Sequence, residues 1–98
     1  MSMATKSGGA DRISTKTRLA DELVVLGRVL AEARERHGVK QSELAEKLGL
    51  PASYLSKIEN GTRRLDVIEL IHIAEAMGAD AAELIADVRS ALRATARP

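Results

Sequence analysis

Residues 39–61 read VKQSELAEKLGLPASYLSKIENG. Leu44, Ala45 and Leu48 recur at helical spacing, which predicts a short helix from Gln41 to Leu48 with one buried face. Ala45 is small, as suits a place where two helices approach closely. Gly49 permits the positive φ of a tight turn. Leu50 is expected to point back into the core, and Pro51 suits the first position of a new helix. That helix is predicted over Pro51–Asn60, with Leu55 and Ile58 facing inward and Ala52, Ser53, Ser56 and Lys57 facing away. Asn60-Gly61 stops it.

On either side the chain is also helical in pattern. Leu19, Leu23, Leu26, Leu30 and Ala33 follow steps of four and three, predicting one helix stripe capped by Thr17 and ended by His37-Gly38. Val24, Val25 and Val29 widen its apolar surface. Asp66 is placed to cap a fourth helix over Val67–Met77, with Val67, Leu70, Ile71, Ala74 and Met77 as its stripe and Gly78 as its end. Asp80 is placed to cap a fifth, with Glu83 in capping-box spacing. Leu84, Ile85, Val88, Ala91 and Leu92 mark its apolar side, and the chain is expected to fray from Arg93 to Pro98. Residues 1–16 are polar, contain Gly8-Gly9 and show no period, so a flexible basic tail is expected ahead of a single domain over residues 17–95.

The bulk numbers agree with an all-α domain. Ninety-eight residues suit one domain with one modest core. Strong helix formers dominate, whereas the aromatic residues that favour strands are reduced to one tyrosine. The absence of cysteine excludes disulfides and thiolate zinc sites. No long apolar run predicts a membrane span or a secretory leader, so a cytoplasmic protein is expected. The net charge is +1, but it is unevenly distributed. Residues 1–20 hold four bases against one acid (+3), residues 51–65 three against one (+2), and residues 66–80 four acids and no base (−4). A near-neutral protein can bind a polyanion when its positive charge is gathered on one face.

Two short helices joined by a glycine turn, the second with a small polar outer face, have the form of a helix-turn-helix. That device lays one helix in the major groove of duplex DNA. On this reading Lys57 could reach guanine O6 and N7 or a phosphate, Ser53 and Ser56 several base edges, and Ala52 a thymine methyl. Gln41 starts a helix whose free N–H groups suit a phosphate, and Lys40 adds charge there. Tyr54 could offer its hydroxyl to a phosphate or serve as a packing residue. The weaker alternative for Lys57 is a solvated surface residue.

Residues 26–85 resemble the Cro and phage-repressor, or XRE-type, helix-turn-helix domains. The pieces that carry the resemblance are LAEARERHGVKQSELAEKLGL, SYLSKIENGTR and IELIHIAEAMGADAAELI. Gln41, Ala45, Gly49, Leu55, Ile58, Glu59 and Gly61 stand at that family's spacing. The resemblance implies a compact five-helix, lambda-repressor-like domain that binds a two-fold operator as a homodimer. It implies that the loop carrying Asn60, Thr62, Arg63 and Arg64 runs along the DNA backbone. It also implies that Arg34 pairs with Glu59, bracing the recognition helix while aiming the guanidinium at a phosphate. The chain departs from the pattern at Pro51, Ala52 and Ser53, where many members carry Gln, Thr or Arg. Direct base readout is therefore expected to be sparse.

A dimer seam is expected on the fifth helix around Ile85, Val88 and Leu92, with Val24 and Val25 contributing, unless these residues only complete the monomer core. A controller of a restriction–modification operon or a small phage-like repressor would have this size. The competing reading is a protein-interaction module, such as an antitoxin or adaptor, on the same fold. No enzyme is expected, since no nucleophile, base or metal set converges. His37 and His72 lack ligand partners at metal-binding spacing. No cofactor or small-molecule ligand is evident.

Overall fold

A computed structural model describes the backbone of residues 9–96 and the side chains of Arg18 to Thr95. Five helices follow one another: α1 (Gly9–Arg36), α2 (Gln41–Leu48), α3 (Ala52–Glu59), α4 (Val67–Met77) and α5 (Ala81–Ala96). There is no strand among the described residues. The element count and order are those the apolar periods predict.

The ends of the outer helices differ from prediction. Helix α1 begins at Gly9, so Thr17 lies inside it rather than capping it. No glycine or proline occurs between Ala10 and Leu26, and nothing in that stretch terminates a helix. The expected tail over residues 1–16 is thus helical from Gly9, and its first eight residues lie outside the described ones. Helix α5 runs on to Ala96, three residues past the expected start of fraying. Pro51, predicted as the first helical residue, is instead the extended residue before α3, at φ −64° and ψ 147°.

In two helices the buried face differs in part from the predicted stripe. In α1 the core residues are Val25, Val29, Leu30 and Ala33, while Leu19 is exposed. Leu30 and Ala33 of the predicted stripe are joined in the core by Val25 and Val29, whereas Val24 is exposed. In α4 the core takes Leu70, Ile73, Ala74 and Met77, and Val67 is 57 % exposed. Each helix carries apolar residues beyond one stripe, so period alone does not choose every member of the face. Leu44, Ala45, Leu55 and Ile58 are buried as expected, and Leu30, Leu44, Leu55 and Ile58 form the fully buried centre.

Caps fix the joints. Gly49 adopts φ +69° after α2 and its N–H returns to Glu46 O, closing the turn between α2 and α3. Asp66 caps α4 reciprocally: Glu69 N–H donates to Asp66 Oδ1 at 2.8 Å, and Asp66 N–H donates to Glu69 Oε1 at 2.9 Å. Asp80 Oδ1 accepts from Ala82 N–H at 2.8 Å. Helices α1 and α5 lie antiparallel. Arg36 near the end of α1 reaches Asp87 at 3.7 Å, while Arg18 near the other end shares a groove with Leu92 and Thr95.

Candidate nucleic-acid interface

Helix α3 is held from below by its own apolar side and from one flank by a single carboxylate. Leu55 and Ile58 anchor it in the core. Arg34 Nε donates to Glu59 Oε2 at 2.7 Å and Arg34 Nη2 donates to Glu59 Oε1 at 3.1 Å. Gln41 Nε2 adds a third bond to Glu59 Oε1 at 2.8 Å. Arg34 Nη1 donates to Val39 O at 2.8 Å, tying the α1–α2 joint into the same network. The side chains of Arg34 and Glu59 are only 11 % and 8 % exposed. The pairing raises the Arg34 pKa: the hydrogen bonds to Glu59 favour the charged form more than burial opposes it. A bidentate pair of this kind fixes angle as well as distance. It sets how α3 sits relative to α1 and α2.

The residues predicted to face outward divide into two groups. Ala52, Ser53 and Lys57 are exposed on α3, and Ser56 beside them is half-buried. Lys40, Asn60 and Arg64 are exposed on the flanks. Neither Lys57, Lys40 nor Arg64 forms an ion pair among the described residues. These side chains present free donors to solvent. The second group is engaged within the protein. The Thr62 hydroxyl donates to Lys57 O at 3.2 Å, finishing the end of α3. The Tyr54 hydroxyl donates to Glu69 Oε2 at 2.6 Å. Arg63 lies 4.3 Å over the Tyr54 ring and 3.5 Å from the Glu69 carboxylate. Arg34 uses all three of its nitrogens internally. A hydroxyl has one hydrogen to donate, so Tyr54 and Thr62 can reach a phosphate only by leaving these partners.

Glu69 is the site residue that sequence reasoning missed. The Asp66–Glu69 spacing signals its capping half. Its contacts with Tyr54 and Arg63 join α4 to α3 and the following loop, and no local pattern announces them. The carboxylate is stabilised in its charged form, its pKa lowered mainly by the Tyr54 hydroxyl. The Tyr54 pKa is raised by the same hydrogen bond and by burial.

The expected seam residues do not share one surface. Ile85 is exposed and Val88 is half-buried, and both line an apolar groove of about 280 Å³ with Leu26, Leu65, Val67 and Leu70. Val24, Val67 and the unpredicted Ile68 are exposed large apolar residues as well. Leu92 instead borders the groove between α1 and α5, and Val25 is core, so neither belongs to that surface. No group of acidic or histidine residues suited to a metal ion occurs among the described residues. No described helix is long and apolar enough to cross a membrane.

Residues 30–84 match the helix-turn-helix family HTH_3. The chain is 34 % identical over 61 residues to the uncharacterized HTH-type transcriptional regulator y4dJ of Sinorhizobium fredii, covering 62 % of this chain and 79 % of that protein. The clp gene regulator ClgR from Corynebacterium glutamicum has a similar fold, with a TM-score of 0.71 and 28 % identity over 76 % of this chain and 80 % of that one. An XRE-family like protein from Pseudomonas syringae pv. tomato gives a TM-score of 0.64 and 36 % identity over 85 % of this chain and 96 % of that one. With the family model matched over residues 30–84 and these proteins similar in sequence and fold, the chain belongs to the XRE-type helix-turn-helix family.

Proposed function

We propose that the chain is a sequence-specific, double-stranded DNA-binding transcription regulator that acts as a homodimer on a two-fold operator in the cytoplasm. One observation carries this reading: the outward side of α3 is open, bears Ala52, Ser53 and Lys57, and is rigidly aimed by the Glu59 network. Lys57 supplies the long donor for a guanine edge, Ser53 and Ser56 the short ones, and Ala52 a methyl contact to thymine. Lys40, Gln41 and the first turn of α2 take phosphate on one flank, and Asn60, Arg63 and Arg64 take it on the other. Arg34 acts chiefly through Glu59, and Tyr54 and Thr62 through the loop they hold. A monomer of this size spans few base pairs, which favours a dimer. The apolar surface of Val67, Ile68, Ile85 and Val88 supports a seam there.

Selection of bound fragments from random duplex DNA, followed by gel shift, tests the function. We expect one enriched two-fold motif. Lys57→Ala with Arg64→Ala should weaken binding, and the loss of Arg64 should reduce the slope of log affinity against log salt by about one per subunit. No enrichment, or an unchanged slope, would overturn the proposed face.

A further inference from the structure

The loop after α3 carries two adjacent arginines, and the fold treats them differently. Arg64 is exposed and forms no ion pair among the described residues. Arg63 sits over the Tyr54 ring, its Cζ 4.3 Å from the ring centre, with Nη2 3.5 Å from Glu69 Oε2. Glu69 is itself immobilised. Its Oε1 accepts from Asp66 N–H and its Oε2 from the Tyr54 hydroxyl, so the carboxylate sits at a fixed place in the first turn of α4. The hydrogen bond from Tyr54 lowers its pKa and so favours the charged form. A second acid, Asp66, stands in the same turn and adds to the negative field at Arg63. The basic stretch of residues 51–65 is thus faced by fixed negative charge where it would meet the DNA backbone.

We infer that Glu69 is an internal competitor of the DNA phosphate: it holds Arg63 as a counter-charge in the free protein and thereby limits the affinity and salt dependence of DNA binding. This rests on the DNA-binding reading above. Phosphate binding by Arg63 either displaces Glu69 or leaves two anions sharing one guanidinium. Both cost affinity in a way that does not depend on base sequence. Affinity for any duplex is held down, and the share of binding that comes from base contacts is raised correspondingly. Glu69 is a positioning residue here and need not touch the nucleic acid.

The test measures binding of the full chain to a short random-sequence duplex over a range of salt. Glu69→Gln keeps an acceptor for Tyr54 and removes the charge. It should bind severalfold tighter at low salt, with a slope steeper by about one per subunit. Tyr54→Phe keeps the ring and Glu69's charge, and should leave the slope unchanged. Arg63→Ala should lose more affinity in the Glu69→Gln background than in the parent chain. Weaker binding or an unaltered slope for Glu69→Gln, in a parent that does bind with normal salt dependence, overturns the inference alone. A parent chain with no salt-dependent binding at all would overturn the DNA reading and this inference with it.

Discussion

The Cα of Gly27 in α1 packs directly against the main-chain end of α3, leaving no space for a side chain between it and Glu59. A Cβ at position 27 would collide with the Glu59 carbonyl oxygen and stand 2.5 Å from that of Ile58. The recognition helix is thus seated backbone to backbone, a few residues from where Arg34 grips the Glu59 side chain. Gly27→Ala therefore inverts the usual rule. In an open helix the change would add up to about 1 kcal/mol of stability. Here overpacking should cost about 1–3 kcal/mol. A lower urea midpoint with an unchanged slope is the expected result, and equal or greater stability would show that the contact is looser than described.

Glu59→Ala leaves Arg34 nearly buried without its partner and deprives Gln41 of its acceptor. Removing one side of a buried pair costs about 3–5 kcal/mol, and the residual exposure of this one puts the loss at the lower end. A double-mutant cycle with Arg34→Ala should return a coupling of at least about 1 kcal/mol. Additive losses would mean that the two side chains do not depend on each other.

The surface around α4 and α5 predicts which substitutions change assembly and which change folding. Ile68, 58 % exposed, and Ile85 face solvent in the monomer. Aspartate at either should yield folded monomers by light scattering. Leu92→Asp should instead loosen the contact between α5 and α1 and lower the melting temperature. Dimers that persist in both isoleucine variants would move the seam to another face.

Tyr54 is the sole tyrosine and there is no tryptophan, so phenolate absorbance reports this residue alone. Its pKa is raised in the folded protein because the neutral phenol donates to Glu69, and ionisation would set two anions together. Below the unfolded value of about 10 the phenol is protonated in both states, so the stabilisation is complete. As pH rises from there through the higher folded value, the unfolded chain ionises first and the stabilisation is lost. Native protein should titrate above the ordinary range, and Glu69→Gln should bring it back down. A midpoint at or below the ordinary value in native protein would count against the hydrogen bond. Glu69 works in the opposite sense. Its pKa is lowered, so its contribution is complete above the usual carboxylate range and lost as pH falls through the lower folded value.

The core of the motif is legible in the chain because its signals are local. Gly49 can turn where other residues cannot, and Leu44, Leu55 and Ile58 have one apolar face to bury. The outward positions Ala52, Ser53 and Lys57 follow from the same arithmetic. The outer helices were harder to read. Helix α1 carries apolar residues beyond one stripe, and its packing against α3 and α5 buries Val25 and Val29 beside Leu30 while leaving Leu19 and Val24 exposed. Its start at Gly9 was hidden because Ser and Thr, which suit caps, are also tolerated inside a helix.

The sequence by itself determined five helices, the glycine joint and the outward side of the third helix, since periodicity and turn chemistry depend only on near neighbours. Which cations remain free was decided by the tertiary structure. Arg63 and Arg64 are adjacent, identical in type and both exposed, yet Glu69 of α4 pairs with one, and the other forms no ion pair among the described residues. Gly27 is likewise an ordinary weak point of a helix until α3 is laid across it. Contacts of this kind join residues far apart in the chain, and only packing brings them within reach.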